Sequence, residues 1–314
     1  MRWARPPSAY LPTVLHKQKQ LNYAAASLHC VQGLIVACLI PMLDVQNEGA
    51  PEWTKGVYKV RKNLYILQLP DTQEPKCDLP RVESAPNNNG LLHVATSGAT
   101  VMMHTTSDNF YTFKDAVAIP RSFVIGYIDV RCLICGFFFL SFVFQALQGW
   151  TCERREWLAV FRFVEYAFSS SVMVLAIAVQ VGLTDVYLLC CLFGLMFATN
   201  MLGLISEVLC AREDAWLPHM VGWVTCLIAY APLLDAYVAS MRCSDLSPPG
   251  YVHVIVFLEF ALFTCFGLVQ AYTLCSYDYR GQTDLAYTVL SLTAKTLLAW
   301  LVMGPTLVNA QKIF

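Results

Sequence analysis

Seven apolar stretches, each long enough to cross a bilayer, constrain this chain more than any other feature. They run roughly over 22–44, 122–149, 157–182, 186–210, 216–240, 250–275 and 284–310. A helical span needs about 20 apolar residues, whereas a membrane strand needs only about 9–11. Lipid also leaves no partner for an open backbone, so windows of this length predict helices. The expected fold is an all-α membrane protein with seven transmembrane helices. Composition agrees: 57% of residues are hydrophobic and 14% charged, against about 25% charged in soluble domains. A net charge of −1 gives no electrostatic footprint for nucleic acid, so the bilayer is the expected partner.

The parts outside the spans are small. Residues 1–21 read as a cytoplasmic segment, and 22–314 as one seven-helix domain that includes a long first loop at 45–120. The basic N-terminus lacks an apolar region before residue 20, so no cleavable signal peptide is expected. The loop segments VYKVRKNLYILQL and LLHVATSGATVMMHT are rich in β-formers, and the second breaks at Ser97-Gly98 like a hairpin turn. A small extracellular sheet is expected. The asparagines at 87–89 read as a surface turn. Nothing in the loop has a catalytic pattern, and no enzyme activity is expected.

Most of the 13 cysteines, Cys38, Cys190, Cys191, Cys226 and Cys265 among them, lie in apolar spans and read as small hydrophobes. Cys132 and Cys135 have zinc-like spacing but no second pair and no His partner, so no metal is assigned. Cys77 and Cys243 fall in loops on one side and could pair as a disulfide. Arg2, Arg5, Lys17, Lys19, Arg154, Arg155, Arg212 and Arg280 gather on the N-terminal side, against Arg242 and Lys312 on the other once the long first loop is set aside. The positive-inside rule then places the N-terminus in the cytoplasm and the C-terminus outside.

Within the last span, SLTAKTLLAW carries Lys295. An intramembrane charge costs at least ~2.5 kcal/mol and persists where something uses it. Counting from the inner face at about 1.5 Å per residue puts Glu165 in the third span ~12 Å deep and Lys295 ~15 Å deep. Opposite charges at matched depth can pair. His29, Gln32, Ser141 and Ser291 fall in the same layer, Ser291 one turn before Lys295. Taken singly, each reads as an ordinary satisfied polar residue; together they outline a polar pocket around one amine. A buried neutral amine can condense with an aldehyde to a Schiff base. Tyr166, Met173, Phe266, Trp300 and the Phe137–Phe139 run could supply a flat apolar site, or plain core packing.

These residues resemble the heliorhodopsin family, retinal-binding light receptors with inverted seven-helix topology. SLTAKTLLAW is similar to the family's retinal-lysine segment, which implies all-trans retinal as a Schiff base on Lys295, with Ser291 and Trp300 beside it. FRFVEYAFSSSVM resembles the third-helix motif, implying Glu165 as counterion and Tyr166, Ser170 and Met173 as pocket neighbours. SLHCVQG and FFFLSFVFQ resemble the segments that supply His29, Gln32 and Ser141. One departure stands out: where the family usually has a second histidine, this chain has Gln145, which does not titrate. The resemblance also implies a homodimer.

Three functions follow. The first is a light receptor in which isomerisation releases the Schiff-base proton, with a signalling partner the sequence does not specify. The second, suggested by viral relatives, is a light-gated proton conductor using Glu165 and Glu259; an ordinary outward pump is disfavoured because Ala176 occupies the donor step in helix three. Glu165, His29, Gln32, Gln145 and Glu259 are the proton-transfer candidates. The third drops retinal and keeps Lys295–Glu165 as a structural pair in a transporter or ligand receptor, although the chain shows no internal repeat.

Overall fold

The computed structural model describes residues 12–46, 56–68, 117–151, 155–209, 213–243, 250–275 and 280–311. The chain divides into two compact units, residues 59–126 and the remainder. The larger unit holds seven long helices: α1 (Pro12–Gln46), α2 (Val130–Trp150), α3 (Arg155–Gln180), α4 (Val186–Leu209), α5 (Trp216–Cys243), α6 (Gly250–Cys275) and α7 (Arg280–Gln311). All seven contain a segment long and apolar enough to cross a membrane. Consecutive helices pack side by side, and α7 returns to pack on α1. A 3-10 turn over Glu213–Ala215 leads into α5, held where Ser206 Oγ donates to the Ala215 carbonyl at 2.8 Å.

Two boundaries differ from the sequence expectation. Helix one starts at Pro12 rather than near 22. Proline suits a first turn, where its missing N–H has no partner to lose. The polar residues that follow remain helical because they are used. Gln18 Nε2 donates to Thr288 Oγ1 at 3.2 Å, and Thr288 Oγ1 donates to Asn22 Oδ1 at 3.1 Å, which ties α1 to α7. Hydropathy registers lipid exposure and passes over a helix end of this kind.

Helix two starts at Val130 rather than 122, because 117–129 is a strand. Its SFVIGYID stretch is apolar but rich in β-branched and aromatic residues, and Gly126 weakens a helix there. Asp129 then stops the strand and caps the helix, its carboxylate accepting the Arg131 N–H at 2.9 Å. The same carboxylate takes the Arg131 guanidinium at 2.7 Å.

The two strands, β1 (Val57–Gln68) and β2 (Val117–Asp129), form one two-stranded sheet. The Val130 N–H donates to the Gly56 carbonyl at 3.0 Å, so the start of β1 lies beside the end of β2 and the strands run antiparallel. Gly56 sits at φ +76°, a conformation that a side chain would strain. The expected sheet is therefore present, with its second strand at 117–129. The LLHVATSGATVMMHT segment, the asparagine run and Cys77 lie outside the described residues, as does the side chain of Cys243.

Candidate functional site

Helix three presents one continuous inner face: Arg162, Glu165, Tyr166, Ser169 and Met173 recur at helical spacing and are all buried. Helix seven answers with Asp284, Tyr287, Thr288, Ser291 and Lys295. Where the two faces meet, Lys295 Nζ donates to Glu165 Oε1. The pairing expected from matched depth is present. Neither residue meets solvent, with Lys295 at 2% exposure and Glu165 at 0%. Lys295 Nζ also donates to Ser291 Oγ at 2.9 Å and lies 5.5 Å from the centre of the Tyr166 ring. The Tyr166 hydroxyl donates to the Tyr287 carbonyl at 3.0 Å, a second clamp between α3 and α7.

A cavity opens beside the lysine, with about 830 Å³ of empty space including its open mouth. Lys295, Ser291 and Tyr166 line it, as do His219, Trp223 and Phe266. An apolar wall with a few polar groups is usual for small-molecule sites. Two glycines make the room. A Cβ on Gly267 would stand 2.4 Å from the Trp223 ring, and one on Gly203 would stand 2.7 Å from Phe163.

Of the residues singled out from the sequence, Tyr166, Ser170, Met173, Phe266, Ser291 and Lys295 line this cavity. Trp300 and Ser141 are not part of its lining. Gln32 instead reaches Thr296, next to the lysine, through a 3.1 Å bond from its Nε2. His29 is buried with its ring centre 5.7 Å from that of Phe138. Ser141 and Gln145 are likewise buried, and Ser141 Oγ and Gln145 Oε1 have no hydrogen-bond partner among the described residues. Glu259 is fully buried, and neither carboxylate oxygen is bonded among the described residues. It shares a face of α6 with the cavity residues Phe263, Phe266 and Gln270.

Several participants escaped the sequence reading. Gln148 Nε2 donates to Glu165 Oε2 at 2.8 Å. Asn200 Nδ2 donates to Ser170 Oγ at 2.8 Å. His219 Nδ1 meets Gln270 Oε1 at 3.3 Å, Trp223 Nε1 donates to His219 Nε2 at 3.1 Å, and Gln270 Nε2 donates to the Gly203 carbonyl at 2.7 Å. Arg162 bridges Asp284 of α7 and Glu207 of α4, the latter at 3.5 Å. Each is a polar side chain in an apolar span, and that was the available signal.

Comparison with protein-family models matches residues 89–307 to heliorhodopsin, more than half of the chain. The chain belongs to the heliorhodopsin family. It is accordingly a retinal-binding, light-sensing rhodopsin carried by seven membrane-spanning helices. The matched stretch begins after α1, so His29 and Gln32 lie outside it. No curated protein matches this heliorhodopsin significantly. Retinal fits the residues present: a largely apolar cavity is lined by a buried primary amine that already faces a carboxylate.

Proposed function

We propose that this heliorhodopsin is a photoreceptor holding all-trans retinal as a protonated Schiff base on Lys295, with Glu165 as counterion. The observation that carries this is the joining of three features in one place. A buried lysine, a buried carboxylate on its nitrogen and the lining of an apolar cavity all meet at Lys295. Retinal, when bound, supplies visible absorption and light-driven isomerisation. The chain's own residues do the rest.

Glu165 holds a negative charge against Lys295 Nζ, which keeps a cation tolerable there. Ser291 Oγ is a second acceptor for the same nitrogen and fixes its direction. Tyr166 and Met173 flank the site from α3, and Phe266 closes it from α6. A proton leaving Lys295 Nζ has Glu165 Oε1 as its nearest acceptor. His29, buried on α1 with neither ring nitrogen bonded among the described residues, is a further candidate. The chain acts as a receptor rather than an enzyme, with the N-terminus cytoplasmic, the C-terminus outside and a homodimer as the working unit.

The test is an absorption spectrum of the purified protein with all-trans retinal, beside Lys295→Ala. A visible band present in the first and lost in the second is expected. A band that survives in the variant, or none in either well-folded protein, refutes the Schiff-base assignment and leaves Lys295 as a structural charge.

One observation favours a second reading, a light-gated proton conductor. Glu259 lies one turn beyond the cavity residue Phe263 and has no bonded partner for either oxygen among the described residues. A carboxyl group so placed can take and release a proton. Glu259→Gln is expected to abolish any photocurrent while leaving the visible band in place; an unchanged current rules this route out.

A further inference from the structure

The Glu165 carboxylate has two oxygens, and Lys295 occupies only one. Oε2 accepts a 2.8 Å hydrogen bond from Gln148 of α2. Gln148 is 2% exposed, so water competes little for this bond. An amide beside an ionised carboxylate can offer only its NH₂ edge, since its carbonyl would repel. Gln148 is thus a donor whose state does not change with pH.

Helix two sets Ser141, Gln145 and Gln148 on one face, at i, i+4 and i+7. The first two leave Ser141 Oγ and Gln145 Oε1 without a bond among the described residues. Gln148 is the member of this stripe that reaches the ion pair. Its position is seven residues beyond the serine to which the family resemblance drew attention.

We propose that Gln148 is a positioning residue for the counterion, keeping Glu165 ionised and aimed at Lys295 and so setting the colour and the pH range over which it holds. The inference rests on the Schiff-base reading above. A hydrogen bond donated to a carboxylate favours its charged form. It also draws negative charge from the oxygen facing the nitrogen. Loss of the donor makes Glu165 easier to protonate, and loss of the counterion charge shifts the visible band to longer wavelength, because the excited state moves positive charge away from the nitrogen.

Other charged and titratable groups surround the site. Lys295 faces Glu165 from α7, and Tyr166 adjoins it on α3. Towards the start of α3, Arg162 is paired with Asp284 and Glu207, with Tyr287 against its guanidinium. His29 comes from α1. All of these are retained in Gln148→Met, which removes the donor and nearly preserves volume.

The experiment is a pH titration of the visible band in retinal-loaded wild type, Gln148→Met, Glu165→Gln and the double variant. The midpoint of the acid-induced red shift is expected to rise by about one to two pH units in Gln148→Met, the strength of a hydrogen bond to a charged group. In the Glu165→Gln background, Gln148→Met should move neither the band nor its pH dependence. An unmoved midpoint, or an equal shift without the carboxylate, overturns the proposal. If Gln148→Met gives no pigment, Gln148→Asn, one methylene too short, must show the same upward move, and an unmoved midpoint there also overturns it. Failure of the Schiff-base reading is separate. It appears as a visible band that Lys295→Ala leaves in place.

Discussion

Removing Lys295 from the retinal-free protein leaves Glu165 as a buried carboxylate with its Oε1 partner gone. The structure makes the cost calculable to order of magnitude. Both residues are excluded from solvent and bonded to one another. Taking away one member of a buried pair costs about 3–5 kcal/mol, because the remaining charge has neither water nor partner. Gln148 and its 2.8 Å bond offset part of this, so the lower end applies to Lys295→Ala. At about 2–4 °C per kcal/mol, the melting point should fall by roughly 6–12 °C. Replacing Glu165 by Gln in the same chain removes the stranded charge, and most of the loss should return. The assay is thermal unfolding of apo wild type, both single variants and Lys295→Ala/Glu165→Gln in one detergent, treated as a double-mutant cycle. A double variant as unstable as Lys295→Ala alone would show that stranded charge is not the source of the loss.

Further outcomes follow from other contacts. Gly267→Ala puts a methyl 2.4 Å from Trp223, so this part of the cavity wall must shift; slower pigment formation and a shifted absorption maximum are expected, with an unchanged spectrum counting against that wall as part of the site. Arg162→Met leaves Asp284 and Glu207 as two buried acids without their cation and should cost about 3–5 kcal/mol in thermal unfolding. A loss well under 1 kcal/mol would place that cluster in contact with water. Asn200→Leu strips the donor from Ser170 Oγ, and a change in absorption maximum without loss of pigment is expected; equal spectra would leave Asn200 outside the chromophore's surroundings.

Seven helices were readable from sequence because lipid offers no hydrogen bonds, and apolar runs therefore report spanning segments directly. The ends were less legible. Polar residues near the start of α1 are helical through bonds to Thr288, and 122–129 is apolar yet forms a strand ending at the Asp129 cap. Both depend on partners remote in sequence or on a capping geometry to which a hydropathy window is blind.

The site divides in the same way. The chain's order fixed that one lysine and one glutamate fall at similar depth, since the rise per residue of a helix is constant. It carried no information on how far each helix is rotated about its axis. That rotation, set by packing, turns Gln148 onto Glu165 and leaves Ser141 Oγ and Gln145 Oε1 unbonded among the described residues. It also joins Asn200, His219 and Gln270 from three helices into the cavity wall and leaves Trp300 outside the lining. Depth is a property of one helix and was written in the sequence; azimuth is a property of seven packed together, and only the tertiary structure decided it.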